Sequence, residues 1–375
     1  MRGRIKGFDG LRALAIGLVI LEHKFTFFRN MGTGGFGVHL FFVLSGFLII
    51  GILHSRRSAI ELKETTFRAE LFHFYENRLF RIWPIYFLLT CVLVLSGFIG
   101  IMKPLSGHEL FAIVTFTSNL FQSFVWPAYP EHFGALWSVA VEEQFYLWAA
   151  PVFLLIASRY FSLVCWCVMT SAIAVGLVTY ASELYPRSIY TGSLTNFGLM
   201  ALGGLAAVAM SRNWWFAKSA PLVLLLYLAC PVIALMMGRS SPGALLVLWG
   251  SGLLVAVVLV GFVSEQSCWM VKVMETPPIR YVGTISYGLY IYHGVVSISF
   301  LHLPSTAGWA RLQPLIEIAL SVAVASTSWH FIERPLLNYR DKRRLRNREA
   351  ASAELNNRAD HSEAPSLEAH HRAHT

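Results

Sequence analysis

The stretch that decides the fold of this chain lies at residues 8–24 and reads FDGLRALAIGLVILEHK. It is apolar enough to enter a lipid bilayer. It nevertheless contains five ionisable residues, which are Asp9, Arg12, Glu22, His23 and Lys24. Ionisable groups inside an apolar span are costly, so they usually face a protein interior or a wet cavity and act there. The stretch therefore predicts a first membrane helix with a functional face.

Arg12 and His23 are expected to share that face. They are eleven residues apart, which at about 100° per residue is about three turns of helix. At ~1.5 Å per residue they lie ~16 Å apart along the axis. One face would then carry a fixed charge near one membrane surface and an imidazole well across the bilayer. The simpler alternative, strongest for Glu22 and Lys24, is that these charges only mark the end of the span.

The composition of the whole chain is that of a membrane protein. Of its 375 residues, 55% are hydrophobic and only 14% are charged, whereas soluble domains carry about 25% charged residues. Long apolar runs recur along the chain, and in lipid such runs must form helices because their backbone groups have no water to bond. The runs are too continuous for the alternating pattern of barrel strands. We therefore expect an all-α polytopic membrane protein.

The basic residues and the cysteines argue against several kinds of partner and site. The net charge of +9 does not indicate nucleic acid, because the basic residues cluster at positions 56–57, 78–81 and 340–348, as in cytoplasmic loops. No small-residue cleavage site follows the basic start of the chain, so we interpret residues 8–24 as a retained span. The five cysteines have no metal-ligand spacing; we interpret them as buried thiols and expect neither a disulfide framework nor a metal site.

The charges also predict the topology. The chain contains eleven apolar runs, which are Phe8–Phe28, Phe36–Leu53, Trp83–Ile101, Leu110–Val125, Leu136–Ala157, Phe161–Tyr180, Leu194–Met210, Pro221–Met237, Ala244–Val263, Tyr281–Leu301 and Leu315–Ile332. If all of them crossed from a cytoplasmic N-terminus, the basic residues 340–348 would lie outside, against the positive-inside rule. Residues 340–348 lie on the cytoplasmic side if one run does not cross. Leu110–Val125, which is short and rich in Ser and Thr, is the run that we expect to be re-entrant.

We therefore predict about ten transmembrane helices, one re-entrant segment and two cytoplasmic termini. Residues 1–338 form a single membrane domain in this interpretation. Residues 339–375 form a basic, disordered cytoplasmic tail, because they are polar and charged throughout.

Three further segments carry residues suited to chemistry. Arg78 and Arg81 are three residues apart and share a helical face, which suits a phosphate-bearing ligand; anchoring to anionic lipid is the alternative. Residues 136–147 carry Glu142, for which helix capping is a simpler role. Within residues 281–293, Ser286, Tyr290 and His293 lie on one stripe; a structural hydrogen-bond network is the alternative there. Ser45, beside Gly46, is more consistent with helix packing than with a nucleophile.

Together, and in this order, these segments resemble acyltransferase family 3 of membrane-integral acyltransferases, which acylate surface carbohydrates and related acceptors. The resemblance covers about residues 5–338. Its motifs are Arg12 with His23, Arg78 with Arg81, Trp137-Ser138 with Glu142, Gln144, Phe145 and Tyr146, Ser286-Tyr287 with Tyr290 and His293, and Glu333-Arg334-Pro335. One position departs from the family pattern Gly-Val-Asp-Leu-Phe-Phe, because His39 replaces the Asp. No catalytic role is therefore carried onto His39, and Glu142 or Glu22 would supply any negative partner.

The resemblance implies transfer of an acyl group, commonly acetyl, from cytoplasmic acyl-CoA to a hydroxyl of a carbohydrate or a lipid-linked glycan. Acyl-CoA is then the donor substrate, and no bound cofactor is expected. Arg78 and Arg81 would hold the CoA phosphates, and Arg12 would steer the donor into the bundle. His23 would be the general base, with Glu142 and His293 as further catalytic candidates. The site would lie in a bacterial inner or plasma membrane, among membrane lipids.

Two other classes of function remain open at this point. A transporter or flippase would line a polar pathway with the same intramembrane Arg and His residues and would perform no chemistry. A non-catalytic sensor would keep the fold without the reaction. Release of CoA from a labelled acyl-CoA distinguishes an acyltransferase from both.

Overall fold

The computed structural model describes residues 5–125, 135–181, 190–209, 218–238, 241–301 and 312–346, together with residue 349. Within these ranges the chain forms helices and no strand, which confirms the predicted all-α class. The helices are α1 (Phe8–Lys24), α2 (Thr26–Met31), α3 (Thr33–Glu61), α4 (Phe67–Phe98), α5 (Gly107–Val114), α6 (Ser118–Val125), α7 (Leu136–Leu155), α8 (Phe161–Ala181), α9 (Ser193–Ala209), α10 (Ala220–Met236), α11 (Pro242–Ser264), α12 (Trp269–Met274), α13 (Pro277–Thr284), α14 (Ser286–Leu301) and α15 (Gln313–Ser328).

Length and composition identify a multi-pass membrane protein. Five helical stretches among the described residues are long and apolar enough to cross a bilayer: Thr33–Glu61, Phe67–Phe98, Ser158–Ala181, Pro242–Ser264 and Gln313–Arg346. Two shorter apolar helices, α9 and α10, accompany them. Large apolar side chains such as Leu177, Leu222 and Met236 are exposed on α8 and α10. Exposure of this kind is expected where helices face lipid rather than water.

Helix α3 lies at the centre of the bundle and packs against α1, α7, α9 and α11. Its contact with α9 depends on two glycines. A Cβ atom on Gly46 would collide with the Met200 carbonyl group, and one on Gly203 would collide with the Val43 carbonyl group. Small residues allow such close approach between membrane helices. Gly46 therefore permits the close helix contact expected from its sequence.

The stretch Leu110–Val125 does not form one continuous helix. Its residues lie in α5 and α6, which have eight residues each. The helices are separated at Phe116, whose φ is 53°. Each covers ~12 Å, less than half of the ~30 Å hydrocarbon core. Gln144 on α7 holds the break, because its Nε2 donates to the Phe116 carbonyl oxygen at 2.6 Å and to Asn119 Oδ1 at 2.8 Å.

The last helix differs in length from the prediction. After α15 the chain passes through a π-helical turn at Trp329–Glu333 and stays helical to Arg346. The start of the segment predicted as a disordered tail is therefore helical. Apart from residue 349, the rest of that segment lies outside the described residues.

The cysteines are all free. Cys165 and Cys230 are buried, as expected for structural thiols. Cys91 and Cys167 are exposed, so the prediction of buried thiols is wrong for these two. They lie on outward faces of α4 and α8, helices that the bundle covers only in part.

Candidate active site

A cavity of about 240 Å³ lies between α1, α3, α4, α7 and α14. We call it the arginine cavity, because Arg12, Arg78 and Arg81 all line it. Its other polar lining residues are Ser45, Ser138, Glu142, Tyr146, Ser286, Tyr287 and Tyr290. Apolar side chains of α3 cover much of the remaining wall. Arginines from two separate sequence motifs thus meet in one space.

The three arginines are held in different ways. Arg12 donates through Nη1 to Asp9 Oδ1 at 2.7 Å. The Arg78 guanidinium lies 5.8 Å from the Phe74 ring centroid and 5.6 Å from that of Tyr146. Its Nε is buried without a hydrogen-bond partner. Arg81 is exposed, which places it at the open edge of the cavity. The cavity thus has donors left for a ligand, and planar guanidinium groups suit phosphate oxygens.

Glu142 is the carboxylate of the arginine cavity. Ser45 Oγ donates to Glu142 Oε1 at 2.6 Å, and the Tyr146 hydroxyl donates to Oε2 at 3.1 Å. The charges of Arg78 and Arg81 also act on this carboxylate. The sequence favoured a packing role for Ser45, and the structure adds a hydrogen bond from its hydroxyl to Glu142. Hydrogen bonds to a charged acceptor are about twice as strong as neutral ones, so Ser45 and Tyr146 fix the direction of the carboxylate.

Tyr290 separates this cavity from the predicted histidines. Its hydroxyl lies 2.6 Å from Ser138 Oγ, and both residues line the cavity. His293 lies behind Tyr290, with the two ring centroids 5.8 Å apart. His293 Nδ1 is 2.7 Å from the Tyr290 carbonyl oxygen. The predicted stripe is thus divided: Ser286 and Tyr290 face the cavity, whereas His293 does not line it.

His23 and His293, which we call the histidine pair, lie together at the far end of α1. Their rings meet edge to face with centroids 5.0 Å apart. His23 is exposed, and its Nδ1 lies 2.8 Å from the Val19 carbonyl oxygen. His23 does not line the arginine cavity. The structure therefore brings His23 to His293 and does not bring it to Glu142 or into the cavity that holds Arg12.

A buried ion pair supports the histidine pair, and sequence reasoning missed one of its members. Lys24 Nζ lies 2.6 Å from Glu317 Oε2, and the two side chains are 1% and 6% exposed. Lys24 also donates to the His293 carbonyl oxygen at 3.2 Å. The signal for Glu317 was a carboxylate inside the apolar run Leu315–Ile332. Lys24 is therefore more than a marker of the end of a span.

His39, Glu22 and Glu333 each form a hydrogen bond within the protein. His39 is buried, with Nδ1 3.2 Å from the Leu248 carbonyl oxygen and its ring beside those of Tyr190 and Trp249. Glu22 accepts a hydrogen bond from the Gly34 amide. Glu333, the first residue of the Glu333-Arg334-Pro335 motif, is buried and accepts from Ser328 Oγ at 3.3 Å. No group of His, Cys, Asp and Glu suited to a metal ion occurs among the described residues.

Fold and cavity together define a multi-pass membrane protein with a cationic cavity inside its helix bundle. Comparison with known proteins gives the family. The model of the acyltransferase 3 family, described as an acyltransferase domain, matches residues 5–331. The chain belongs to that family. No solved structure matches the chain.

Several curated proteins are similar to this chain. One is the peptidoglycan O-acetyltransferase OatA of Listeria monocytogenes, 28% identical, with 89% of this chain and 56% of that protein aligned. Another is the putative peptidoglycan O-acetyltransferase YrhL of Bacillus subtilis, 27% identical, with 88% and 55% aligned. A putative O-acetyltransferase of Staphylococcus aureus is 28% identical, with 88% and 57% aligned. The chain spans a little over half the length of these relatives.

Proposed function

We propose that this protein is a membrane-bound O-acyltransferase. It moves an acyl group, most simply acetyl, from acyl-CoA to a hydroxyl of a carbohydrate or a lipid-linked glycan. The observation that carries the proposal is the meeting of Arg12, Arg78 and Arg81 around one cavity that also holds Glu142. The family and the O-acetyltransferase names of its relatives support the reaction class.

The arginine cavity suits one part of acyl-CoA. Its volume of about 240 Å³ is below the 300–1,000 Å³ of a typical ligand site. Only the thin arm that ends in the thioester then enters the bundle, while the phosphates stay at the open edge near Arg81. Arg78 and Arg81 hold these phosphates, and Arg12, further along the lining, steers the arm inward. Charge-assisted contacts to guanidinium groups give both affinity and direction.

The reaction is attack of the acceptor hydroxyl oxygen on the thioester carbonyl carbon. A base takes the hydroxyl proton, the C–S bond breaks, and CoA leaves with the sulfur. In this proposal His23 is the base, since histidine is the side chain that most often serves as a general base. His293 is its neighbour. Glu142, held by Ser45 and Tyr146, sets the charge of the donor cavity rather than contacting His23.

The two ends of α1 fit substrates that arrive from opposite sides. In this proposal the donor binds at the cytoplasmic side, where Arg12, Arg78 and Arg81 lie. The acceptor meets the exposed His23 ~16 Å further along the helix. A route between them must pass Tyr290, which lies between the arginine cavity and His293. For the reaction to occur, either the acyl arm of the donor or the acceptor hydroxyl passes the hydrogen-bonded side chains of Tyr290 and Ser138.

We also propose ten crossings with both termini in the cytoplasm and Leu110–Val125 as the re-entrant segment. Among the described residues, ten helices have at least 16 residues, and the positive-inside rule favours an even number of crossings. Cysteine labelling from either side of the membrane tests this topology. Positions Ser106 and Pro130 should be labelled from the same, outer side; Pro130 lies outside the described residues. Labelling from opposite sides would overturn the topology.

The function is tested by supplying the purified protein, reconstituted in lipid, with labelled acetyl-CoA and a glycan acceptor. We expect release of CoA thiol together with label in an ester of the acceptor. A protein that moves label across the membrane but releases no CoA would instead be a transporter, and the proposal would be wrong. Heat-treated protein in the same lipid provides the background rate of thioester hydrolysis.

A further inference from the structure

The last helix is longer than a bilayer core is thick, and its C-terminal end packs against α4. It runs unbroken for 34 residues, Gln313–Arg346, which is ~51 Å against a ~30 Å hydrocarbon core. Its final turns lie beside the first half of α4, where the Tyr339 and Phe80 ring centroids are 6.5 Å apart. These turns lie beyond the residues that the family model matches.

Arg344 makes the principal polar contact between the two helices. Its Nη2 and Nε donate to Glu76 Oε2 at 2.6 and 3.0 Å. Its Nη1 donates to Asn77 Oδ1 at 2.7 Å, and Nη2 also donates to the His73 carbonyl oxygen at 3.2 Å. Arg343 adds a second positive charge, 3.9 Å from Glu76 Oε1. One guanidinium thus binds three residues of α4, His73, Glu76 and Asn77, through its planar fork.

These contacts lie on α4 directly before the cavity residue Arg78. Glu76 and Asn77 directly precede Arg78, the cavity arginine whose Nε has no hydrogen-bond partner. Without Arg344, the carboxylate of Glu76, two residues before Arg78 in the chain, would keep only Arg343 and His73 as basic neighbours. Its negative charge would then oppose the binding of a phosphate nearby. The Glu76 side chain is 10% exposed, so water screens that charge only in part.

We infer that Arg344 is a positioning residue of the donor site: by binding Glu76 and Asn77, it neutralises and holds the turn of α4 that presents Arg78 to the donor phosphates. The last helix then belongs to the donor site even though it contributes no residue to the cavity lining. This inference rests on the proposed function, because it takes acyl-CoA to be the ligand of Arg78 and Arg81.

The test compares two donors in the lipid-reconstituted protein. For Arg344→Ala we expect the KM for acetyl-CoA to rise about threefold to tenfold with kcat nearly unchanged, since a charge-assisted contact near the surface is lost. With S-acetyl-pantetheine, which lacks the nucleotide phosphates, KM should not change. Arg346→Ala is the matched control, because Arg346 is an exposed arginine on the same helix; both KM values should stay normal.

A double variant separates charge from folding. Glu76→Gln with Arg344→Ala removes both partners, and its KM for acetyl-CoA should return towards the normal value. The inference is overturned if Arg344→Ala leaves KM unchanged, raises it equally for both donors, or acts no more strongly than Arg346→Ala. It is also overturned if neither Arg344→Ala nor the double variant folds, because the contact is then structural. Failure of the proposed function is a different result, in which the unaltered protein releases no CoA.

Discussion

The charged side chains at the two ends of α1 differ in whether they are available to a ligand. At the donor end, Arg12 is 18% exposed beside Asp9, and it shares the arginine cavity with Arg78 and Arg81. At the other end, Lys24 and Glu317 are nearly inaccessible and bind each other at 2.6 Å. The first arrangement leaves donors and positive charge available to a ligand. The second satisfies its charges within the protein, which is typical of a structural ion pair.

This difference teaches which residues should affect catalysis and which should affect stability. Substitutions in the arginine cavity should weaken donor binding and leave the fold intact. Removal of one partner of the Lys24–Glu317 pair should destabilise the protein, because it leaves a buried charge without compensation. The histidine pair lies between these cases, since one of its members is exposed and the other accepts a hydrogen bond from Lys24.

The largest effect is expected from His23→Ala. Loss of a general base typically lowers the rate 10²–10⁴-fold, while acetyl-CoA binding should survive because a base acts mainly in the transition state. Turnover and donor affinity, measured by CoA release and by calorimetry, check the two halves separately. His330→Ala, which removes an exposed histidine on the last helix, is the control. Near-normal turnover of His23→Ala would remove His23 from the mechanism and direct attention to His293.

A loss of stability of about 3–5 kcal/mol is expected from Glu317→Gln, because Lys24 keeps its charge in a buried place. Thermal unfolding in detergent measures this loss. The variant that changes both residues, Lys24→Met with Glu317→Met, should recover most of the stability, since apolar replacements of a buried pair are often neutral. Equal stability of the unaltered protein and Glu317→Gln would show that this end of α1 does not depend on the ion pair.

Smaller effects are expected from Arg78→Ala and Arg81→Ala. Each should weaken acyl-CoA binding by roughly 1.5–3 kcal/mol, the range for a hydrogen bond to a charged group, and should leave thermal unfolding unchanged. Replacement by Lys should rescue binding only in part, because the planar fork is lost. Arg159→Ala, an exposed arginine beyond α7, is the control. Unchanged donor affinity in both variants would assign these arginines to lipid anchoring.

The smallest effect is expected from Glu142→Gln. Glutamine can accept from one of the two hydroxyls through its single amide oxygen and donate to the other through its amide N–H, so both contacts can be kept while the charge is removed. Turnover should fall by about threefold to tenfold, the range of one weakened charge-assisted hydrogen bond. A fall as large as that of His23→Ala would instead place Glu142 in direct contact with the reacting groups.

The helical class and the shared face of Arg78 and Arg81 were predictable from the sequence, whereas a donor role for Arg12 beside them was implied only by the family resemblance. Uninterrupted apolar runs allow only helices in lipid, and the spacing of Arg78 and Arg81 follows from helical geometry. The same geometry placed Arg12 and His23 on one face of α1. It did not show that different helices cover the two ends of that face, which is why His23 lies with His293 rather than in the arginine cavity.

The pairwise contacts were not predictable, because they depend on which helices become neighbours. Ser45 and Glu142 are 97 residues apart in the chain, and Lys24 and Glu317 are 293 apart. Local periodicity shows which face of a helix is polar and is silent about its partner. Glu333 was identified by its motif but was not expected to be buried, for another reason. It belongs to a π-helical turn, and a count in steps of 3.6 residues fails within such a turn.

The π-helical turn at Trp329–Glu333 introduces a fixed rotational offset between the segments of the last helix before and after it. A π turn absorbs an additional residue, so every position after Glu333 is displaced by about 100° from where a uniform helix would place it. The segment before the turn packs against α14, and the turn itself contacts α4. The angular position of Tyr339 and Arg344 around the helix axis therefore depends on the turn at Trp329–Glu333 as well as on the helix before it. One continuous helix can therefore present one set of side chains to α14 and, after the turn, another set to α4.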